Sequence, residues 1–407
     1  MISEKLDIII FALPRFDGPY SSISISMAKE FSKKHKVYYI NHPYSFKDIF
    51  ASFKTNNILM RLPALFFGVN NSETFKVVGG VKQITMVTPP VTLPINFLPP
   101  GKYYNFLQRL NDRIFFNGLR KLIKREKIKD FIFINTYDPF FALNFPSDIT
   151  PYLKIYQCVD DIEEVEYTLK HGAALEREMM GKYDLTMTTS LELTKIKKPY
   201  AQSIYYLPNA VDPSLFNQAY FKKLDIPKEF HGVSKKVIGF IGNIEQRMDY
   251  DLVRKIAKAH QDKLLYLIGP ISSNEYKTEG LDKLENIVFT GGKSIEELPA
   301  YLQNIDCAII PFKCNKLTKS IYPLKINEYL AGGKPVVTTN FSEDIRTFKE
   351  VVYIANSHEE FISLIDQSIE NNNEELALKR LEHAKENSWT SRVDDFWKIL
   401  STFKKSS

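Results

Sequence analysis

The stretch Ser320-Ile321-Tyr322-Pro323-Leu324-Lys325-Ile326-Asn327-Glu328-Tyr329-Leu330-Ala331-Gly332-Gly333-Lys334-Pro335-Val336-Val337 decides how this chain is read. Pro323 suits the first turn of a helix, where its missing N–H costs nothing. Gly332 and Gly333 supply a left-handed stop, and Lys334-Pro335 blocks continuation. Residues 335–339 then read as a short buried strand, so a helix feeds a strand. One residue is out of place. Lys325 sits in the first helical turn, where the macrodipole disfavours a cation. Local rules are broken where a site demands it, and a lysine beside a helix N-terminus is placed to hold phosphate. Glu328, three residues on, shares that face and can accept hydrogen bonds from a sugar diol. The same two residues also fit an ordinary i,i+3 pair on a surface helix.

Working outward, the second half of the chain alternates strands with helical stretches. Residues 236–241, 264–269, 287–290, 306–311, 335–339 and 351–354 read as strands, a pattern that predicts a doubly wound parallel sheet. The first of them runs into Gly242-Asn243-Ile244-Glu245-Gln246-Arg247-Met248, followed by Asp249 as a helix N-cap. Glycine lets backbone N–H groups approach a pyrophosphate. Arg247 offers a planar fork for phosphate oxygens.

Residues 323–337 resemble the donor-binding motif of GT-B glycosyltransferases. Pro208-Asn209-Ala210-Val211-Asp212 is similar to the Pro-Asn-Gly-Val-Asp interdomain stretch of that superfamily, with Ala210 in place of the glycine. The resemblance implies an α/β fold of two Rossmann-like doubly wound domains facing across a cleft. It also implies a layout of 1–208 (acceptor domain), 209–388 (nucleotide-sugar domain) and 389–407 (a terminal helix packing back on the first domain). Arg247 resembles the family's donor-diphosphate arginine. Thr290 and Gly291 lie where relatives hold the nucleobase. The loop carrying Lys316, Thr318 and Ser320 lies where relatives contact sugar and phosphates. In many members the helix carries the second Glu of a Glu-x7-Glu pair. Glu328 matches it, but Ser320 stands where the first belongs, which leaves the stereochemistry open. No metal is implied for donor binding, and no cofactor beyond a UDP- or GDP-sugar.

A chain of 407 residues is too long for one core and predicts two domains. With 44% hydrophobic and 25% charged residues it has ordinary globular composition. Three scattered cysteines, Cys158, Cys307 and Cys314, lack metal spacing and fit a reducing compartment. No signal peptide and no uninterrupted run of about 20 apolar residues is evident, so a cytoplasmic protein is expected. The net charge of +6 is uneven: residues 1–208 carry +7 and the remainder −1.

The first half opens with residues 7–12 as a buried parallel strand, a loop, a helix near 21–34 and a strand at 37–41, a βαβ start. Ligands in such sheets bind beyond the carboxyl ends of strands. Arg15, Asp17 and Gly18 are therefore acceptor-side candidates, although an ordinary βα loop accounts for them equally. Gly18 stands alone, without a dinucleotide fingerprint. Residues 47–101 read as irregular, aromatic and apolar with basic punctuation. Helix 102–129 carries Arg109, Arg113, Arg120, Lys121, Lys124, Arg125, Lys127 and Lys129. Such a face is either plainly solvated or suited to anionic lipid; no nucleic-acid recognition motif accompanies it. Further strands are read at 131–135, 153–158, 185–188 and 203–207. A carboxylate at the carboxyl end of a strand is a natural general base, so Asp160, then Asp161, then Asp138 are candidates. One of the two adjacent aspartates can equally cap the following helix.

The expectation is a glycosyltransferase that moves a sugar from a nucleotide sugar to a glycan or lipid-linked acceptor in cell-surface polysaccharide synthesis. Arg247, Lys325 and the Gly242 loop are expected to hold the donor diphosphate. The basic first domain is expected to meet the inner membrane face, and no nucleic acid is expected. A UDP-sugar epimerase of the same fold and a catalytically silent nucleotide-binding scaffold are the rivals.

Overall fold

Runs rich in Ile, Val, Phe and Tyr form parallel strands when both faces are covered. In the computed structural model, which describes residues 6–18, 22–51, 61–67, 71–76, 83–164 and 168–403, those runs build two sheets. Residue 21 of the helix expected near 21–34, and residues 52–60, 68–70 and 77–82 of the stretch read as irregular, lie outside the described residues. The chain divides into two units, Met1–Leu207 with Val393–Ser407, and Pro208–Arg392.

The first unit contains β1 (Asp7–Ala12), β2 (Val37–Asn41), β3 (Ser72–Lys76), β4 (Gln83–Val87), β5 (Phe131–Thr136), β6 (Leu153–Cys158), β7 (Leu185–Thr188) and β8 (Ile204–Tyr206). They form one sheet in the order β3-β4-β2-β1-β5-β6-β7-β8. All neighbours are parallel except β3 and β4, which pair antiparallel. The order reverses at β1, so the crevice for a ligand opens at the carboxyl ends of β1 and β5. Two of these strands fall in the stretch read as irregular. β4 joins the parallel edge of β2 and buries Ile84 and Met86 while Gln83 stays exposed. β3 is a short polar edge strand, and polar composition is a common way to protect an edge. Neither has the unbroken apolar run that marks an inner strand.

The second unit contains β9 (Val237–Ile241), β10 (Leu264–Ile268), β11 (Ile287–Gly291), β12 (Cys307–Ile310), β13 (Val336–Thr339) and β14 (Tyr353–Ala355). Their order is β11-β10-β9-β12-β13-β14, all parallel. Here the reversal lies between β9 and β12. The Gly242 loop leaves β9 at that switch point. The helix Leu324–Ala331 precedes β13, with Pro323 as N-cap and Gly333 at φ +71° providing the left-handed stop.

The last helix, Trp389–Thr402, crosses the division: its first four residues group with the second unit and the rest with the first. It is fastened by aromatic contacts. Phe396, fully buried, lies 5.0 Å from the Phe31 ring, and Trp397 stacks on His35 at 4.9 Å. Truncating a buried Phe in a core of this kind costs about 3–5 kcal/mol. Phe396→Ala should therefore lower the unfolding free energy of the first unit by that amount and leave the transition of the second unit in place, as followed by urea unfolding.

Candidate functional site

In the second unit, the local chemistry begins with missing side chains. Gly242 adopts φ +153°, and a Cβ built there would stand 2.1 Å from Lys325 Cε and 2.9 Å from its Nζ. Gly269, at φ +148°, would place a Cβ 2.0 Å from the Gly242 carbonyl oxygen. Two glycines thus let the β9 loop, the β10 loop and the lysine side chain share one point. The Gly242 N–H donates to the Ile268 carbonyl at 2.8 Å, which fixes the loop. The helix is fixed as well. Tyr329, buried, accepts from the Ile241 N–H at 2.8 Å and donates to the Ile241 carbonyl at 3.2 Å, pinning the helix to the end of β9.

Lys325 Nζ lies 5.8 Å from the Phe240 ring and 5.9 Å from the Phe312 ring. The Arg247 guanidinium approaches the same Phe312 ring at 5.8 Å. The two cations therefore lie near one aromatic ring. Burial pulls the Lys325 amine down to about 8, with Arg247 lowering it further and Glu328 opposing. Burial also pushes Glu328 up to about 7, against the lysine. Among the described residues no ion pair within 4 Å joins Lys325 to Glu328, although they are three apart on one helix. Arg247 is paired with Glu245, whose other oxygen accepts from Asn243 Nδ2 at 3.2 Å. Two like charges and a helix N-terminus drawn into one low-dielectric corner repel each other and gain when an anion joins them. Such a corner can hold a diphosphate.

The other donor-side candidates divide. Asn243 also accepts from Ser272 Oγ at 2.8 Å, so it ties the β9 loop to the loop after β10. Thr290 and Gly291 end β11, with Gly291 at φ +72°. Lys316 is exposed. Thr318 is buried and its hydroxyl works inside its own turn, accepting from the Asn315 N–H in a capping box and donating to the Lys313 carbonyl. Ser320 is buried.

In the first unit, Arg15 stacks over Tyr44 at 3.6 Å, and Asp17 pairs with Arg61. The Gly18 N–H closes a turn onto the Arg15 carbonyl at 3.0 Å. Asp161 is buried against Lys197 at 3.1 Å, and the same amine meets Glu176 at 2.9 Å. This carboxylate is held in a buried ion triad rather than offered to a substrate. Asp160 is half-buried at the end of β6. Asp138 is the most constrained of the set. Fully buried, it accepts from the Phe140 N–H at 3.0 Å and from His42 Nδ1 at 2.5 Å. Because a carboxylate only accepts, Nδ1 carries the proton and Nε2 is left as the basic nitrogen. The loop is held in place from both ends. Asn135 donates to the Asp138 carbonyl at 2.8 Å and accepts from its N–H at 3.1 Å. Asp112 accepts from the Ala142 N–H at 3.0 Å, its carboxyl pushed by burial to about 6. Between these anchors Tyr137 and Ala142 sit at φ +59° and +60°, conformations that cost L-residues energy and that cluster at functional sites.

His42 was not singled out from the sequence. It follows β2 immediately, and the rule that pointed to Arg15–Gly18 after β1 points equally to it. With Thr92, Asn96, Tyr104, Asn111 and Phe141 it lines a cavity of about 170 Å³. Among the described residues no group of three or more His, Cys, Asp or Glu is placed to hold a metal ion.

Residues 235–371 match the family described as Glycosyl transferases group 1. The chain is 31% identical over 153 residues to the teichuronic acid biosynthesis glycosyltransferase TuaH of Bacillus subtilis; the match covers 37% of this chain and 38% of that protein. Solved structures resemble the chain over both units. The trehalose-6-phosphate protein of E. coli bound with UDP-2-fluoro glucose has a TM-score of 0.68 at 10% identity, over 98% of this chain and all of that one. Sucrose-phosphate synthase of Thermosynechococcus elongatus has 0.64 at 10%, over 97% and 98%. HepE of Anabaena in complex with UDP and glucose has 0.63 at 14%, over 98% and 100%. At these identities the likeness shows the fold, which is GT-B.

The lysine makes a sign-definite prediction. An anion binds the ammonium form, which is complete below about 8 and is lost as pH rises through that value. Pyrophosphate affinity measured by calorimetry should be flat on the acid side of this point and weaken by up to about tenfold per pH unit above it. A pH-independent affinity between 7 and 10 would contradict the assignment.

Proposed function

We propose, from the premise that the second unit is a group 1 glycosyl transferase domain, that the chain transfers a sugar from a nucleoside diphosphate sugar to a hydroxyl of a cell-surface glycan. The observation that carries this reading is that Arg247 and Lys325 both lie within 6 Å of the Phe312 ring, with Lys325 packed on the Gly242 backbone. Breaking the anomeric C–O bond leaves its electron pair on a diphosphate oxygen. Cations fixed in advance around that oxygen lower the barrier without reorganising. Glu328, partly buried beside Lys325, is suited to accept hydrogen bonds from a hydroxyl pair on the nucleotide ribose. Thr290 and Gly291 are assigned to the base, and Asn243 and exposed Lys316 to the donor's polar edge. Thr318 and Ser320 are assigned to loop structure. UDP is the expected nucleotide, since the structurally similar E. coli protein and HepE are complexed with UDP-sugar or UDP.

On the acceptor side, His42 takes the proton of the attacking hydroxyl, oriented by Asp138 in the manner of other imidazole–carboxylate pairs. Asp160 moves to second place as the base, and Asp161 to a structural role. Arg15, Asp17 and Gly18 shape the neighbouring loop. A silent scaffold has no use for two L-residues at positive φ that hold a carboxylate on an imidazole, and this favours an enzyme. The kinship with TuaH supports an anionic wall polymer as the acceptor class, and the basic first half supports contact with an anionic membrane surface. No helix among the described residues is long and apolar enough to cross a membrane.

Two substitutions test the halves separately. UDP at about 100 times Kd should stabilise the protein by about 2.7 kcal/mol in scanning fluorimetry, and Lys325→Ala should abolish that shift while the unliganded melting temperature stays put. His42→Ala should keep the UDP shift and lower kcat by about 10²–10⁴ in UDP-release assays with acceptor. Formation of a new nucleotide sugar from donor alone would instead identify an epimerase.

A further inference from the structure

The cavity beside His42 opens through a rim that is poorly suited to water. Six large apolar side chains stand exposed on the segments that frame it: Phe46, Phe66, Phe97, Tyr103, Phe106 and Leu169. Three of them are extreme, with Phe97, Tyr103 and Phe106 exposed to 71%, 87% and 61%. Hydrogen bonds and stacking bring the segments together. The Phe46 N–H donates to the Thr92 carbonyl at 3.2 Å, and the Phe46 and Phe66 rings lie 6.2 Å apart. Phe97 itself lines the cavity, and its carbonyl accepts from Lys170 Nζ at 2.5 Å. The neighbouring His171 stacks on Tyr104 at 3.8 Å and hydrogen-bonds the Leu98 carbonyl at 3.0 Å. Leu169 directly precedes Lys170 and His171 in the chain, and Tyr103 and Phe106 stand one and two positions from Tyr104 on the helix Lys102–Glu126.

Cations are interleaved with these rings. Lys47, Lys102, Arg109, Arg113 and Lys170 are all exposed. Among the described residues no carboxylate lies within 4 Å of Lys102, Arg109 or Arg113. The helix contributes two acids, of which Asp112 is buried and Glu126 pairs with Arg125. Large aromatic side chains among unpaired lysines and arginines match the interfacial zone of an anionic bilayer, where rings sit at headgroup depth and cations meet lipid phosphates.

We infer that this rim docks on an anionic phospholipid surface, with Phe97, Tyr103 and Phe106 inserted and the cavity mouth held against the bilayer. The cavity then admits the sugar end of an acceptor whose other end stays in the lipid. This last clause rests on the transferase reading; the docking does not.

The full chain is sedimented with vesicles of phosphatidylcholine alone and of phosphatidylcholine mixed with an equal amount of phosphatidylglycerol, at low salt. Binding to the mixed vesicles is expected. Phe97→Ser/Tyr103→Ser/Phe106→Ser should weaken it by at least about tenfold, and Arg109→Glu/Arg113→Glu should do the same. Both variants touch exposed side chains and should keep the wild-type melting temperature. Wild-type protein left in the supernatant, an aromatic variant that binds as well as wild type, or preference for a single-stranded oligonucleotide over the vesicles each overturns the inference. A missing UDP shift with vesicle binding intact would strike the transferase reading and leave the docking standing.

Discussion

Position 242 has no room for a side chain, and much of the second unit's chemistry depends on that fact. The Gly242 backbone lies against the Lys325 methylene, and the Gly242 carbonyl lies against Gly269. A β-carbon at either place would push the lysine or a loop away. With both absent, the end of β9, the start of the next loop and the helix N-terminus approach more closely than side-chain-bearing residues allow. The Tyr329 hydroxyl, bonded at once to the N–H and the carbonyl of Ile241, sets how far along the strand that helix sits. Steric permission and a double hydrogen bond together place a cation where its own helix dipole and a neighbouring arginine oppose it. Such an arrangement lowers stability locally and is useful when negative charge develops nearby.

The first unit reaches a comparable end by different means. Its constrained loop contains no glycine at the positive φ positions; Tyr137 and Ala142 hold them instead, and the conformation is secured by Asn135, Asp112 and the hydrogen bonds of Asp138. Strain of order 1–3 kcal/mol per residue persists only where surroundings over-determine it, and here both flanks do. The buried triad of Lys197, Asp161 and Glu176 lies on a neighbouring segment. It joins the end of β6 to two helices and contributes rigidity rather than reactive groups. Losing one member would leave an uncompensated charge in the interior.

The parallel core was legible because buried strands leave continuous apolar runs, and twelve strands were read within a few residues of where they lie. β3 and β4 were missed because an edge strand is short and polar and its inner neighbour alternates. Lys325 was singled out because it broke a local rule, and Arg247 and Glu328 because they stand where a family motif is resembled. The acceptor side was less so. Asp160, Asp161 and Asp138 carry the same signal in sequence, a carboxylate beyond a strand, and burial with partners from distant segments separates them. His42 and Asp138 are ninety-six positions apart, and nothing local announces a pairing at that range. The exposure of Phe97, Tyr103 and Phe106 was equally hidden, since aromatic residues near a helix start are more often core.

The division of the chain carries a consequence for how the protein is made. The second unit is one uninterrupted stretch, whereas the first is completed by residues from Val393 onward, including the Phe396 ring that sits on Phe31. During synthesis the interposed unit can close on itself as soon as it clears the ribosome. The earlier-made unit must wait with an apolar seat for that ring uncovered until the helix Trp389–Thr402 emerges. Chaperone demand should therefore concentrate on the earlier-made unit, whose native assembly reports that translation has passed Phe396.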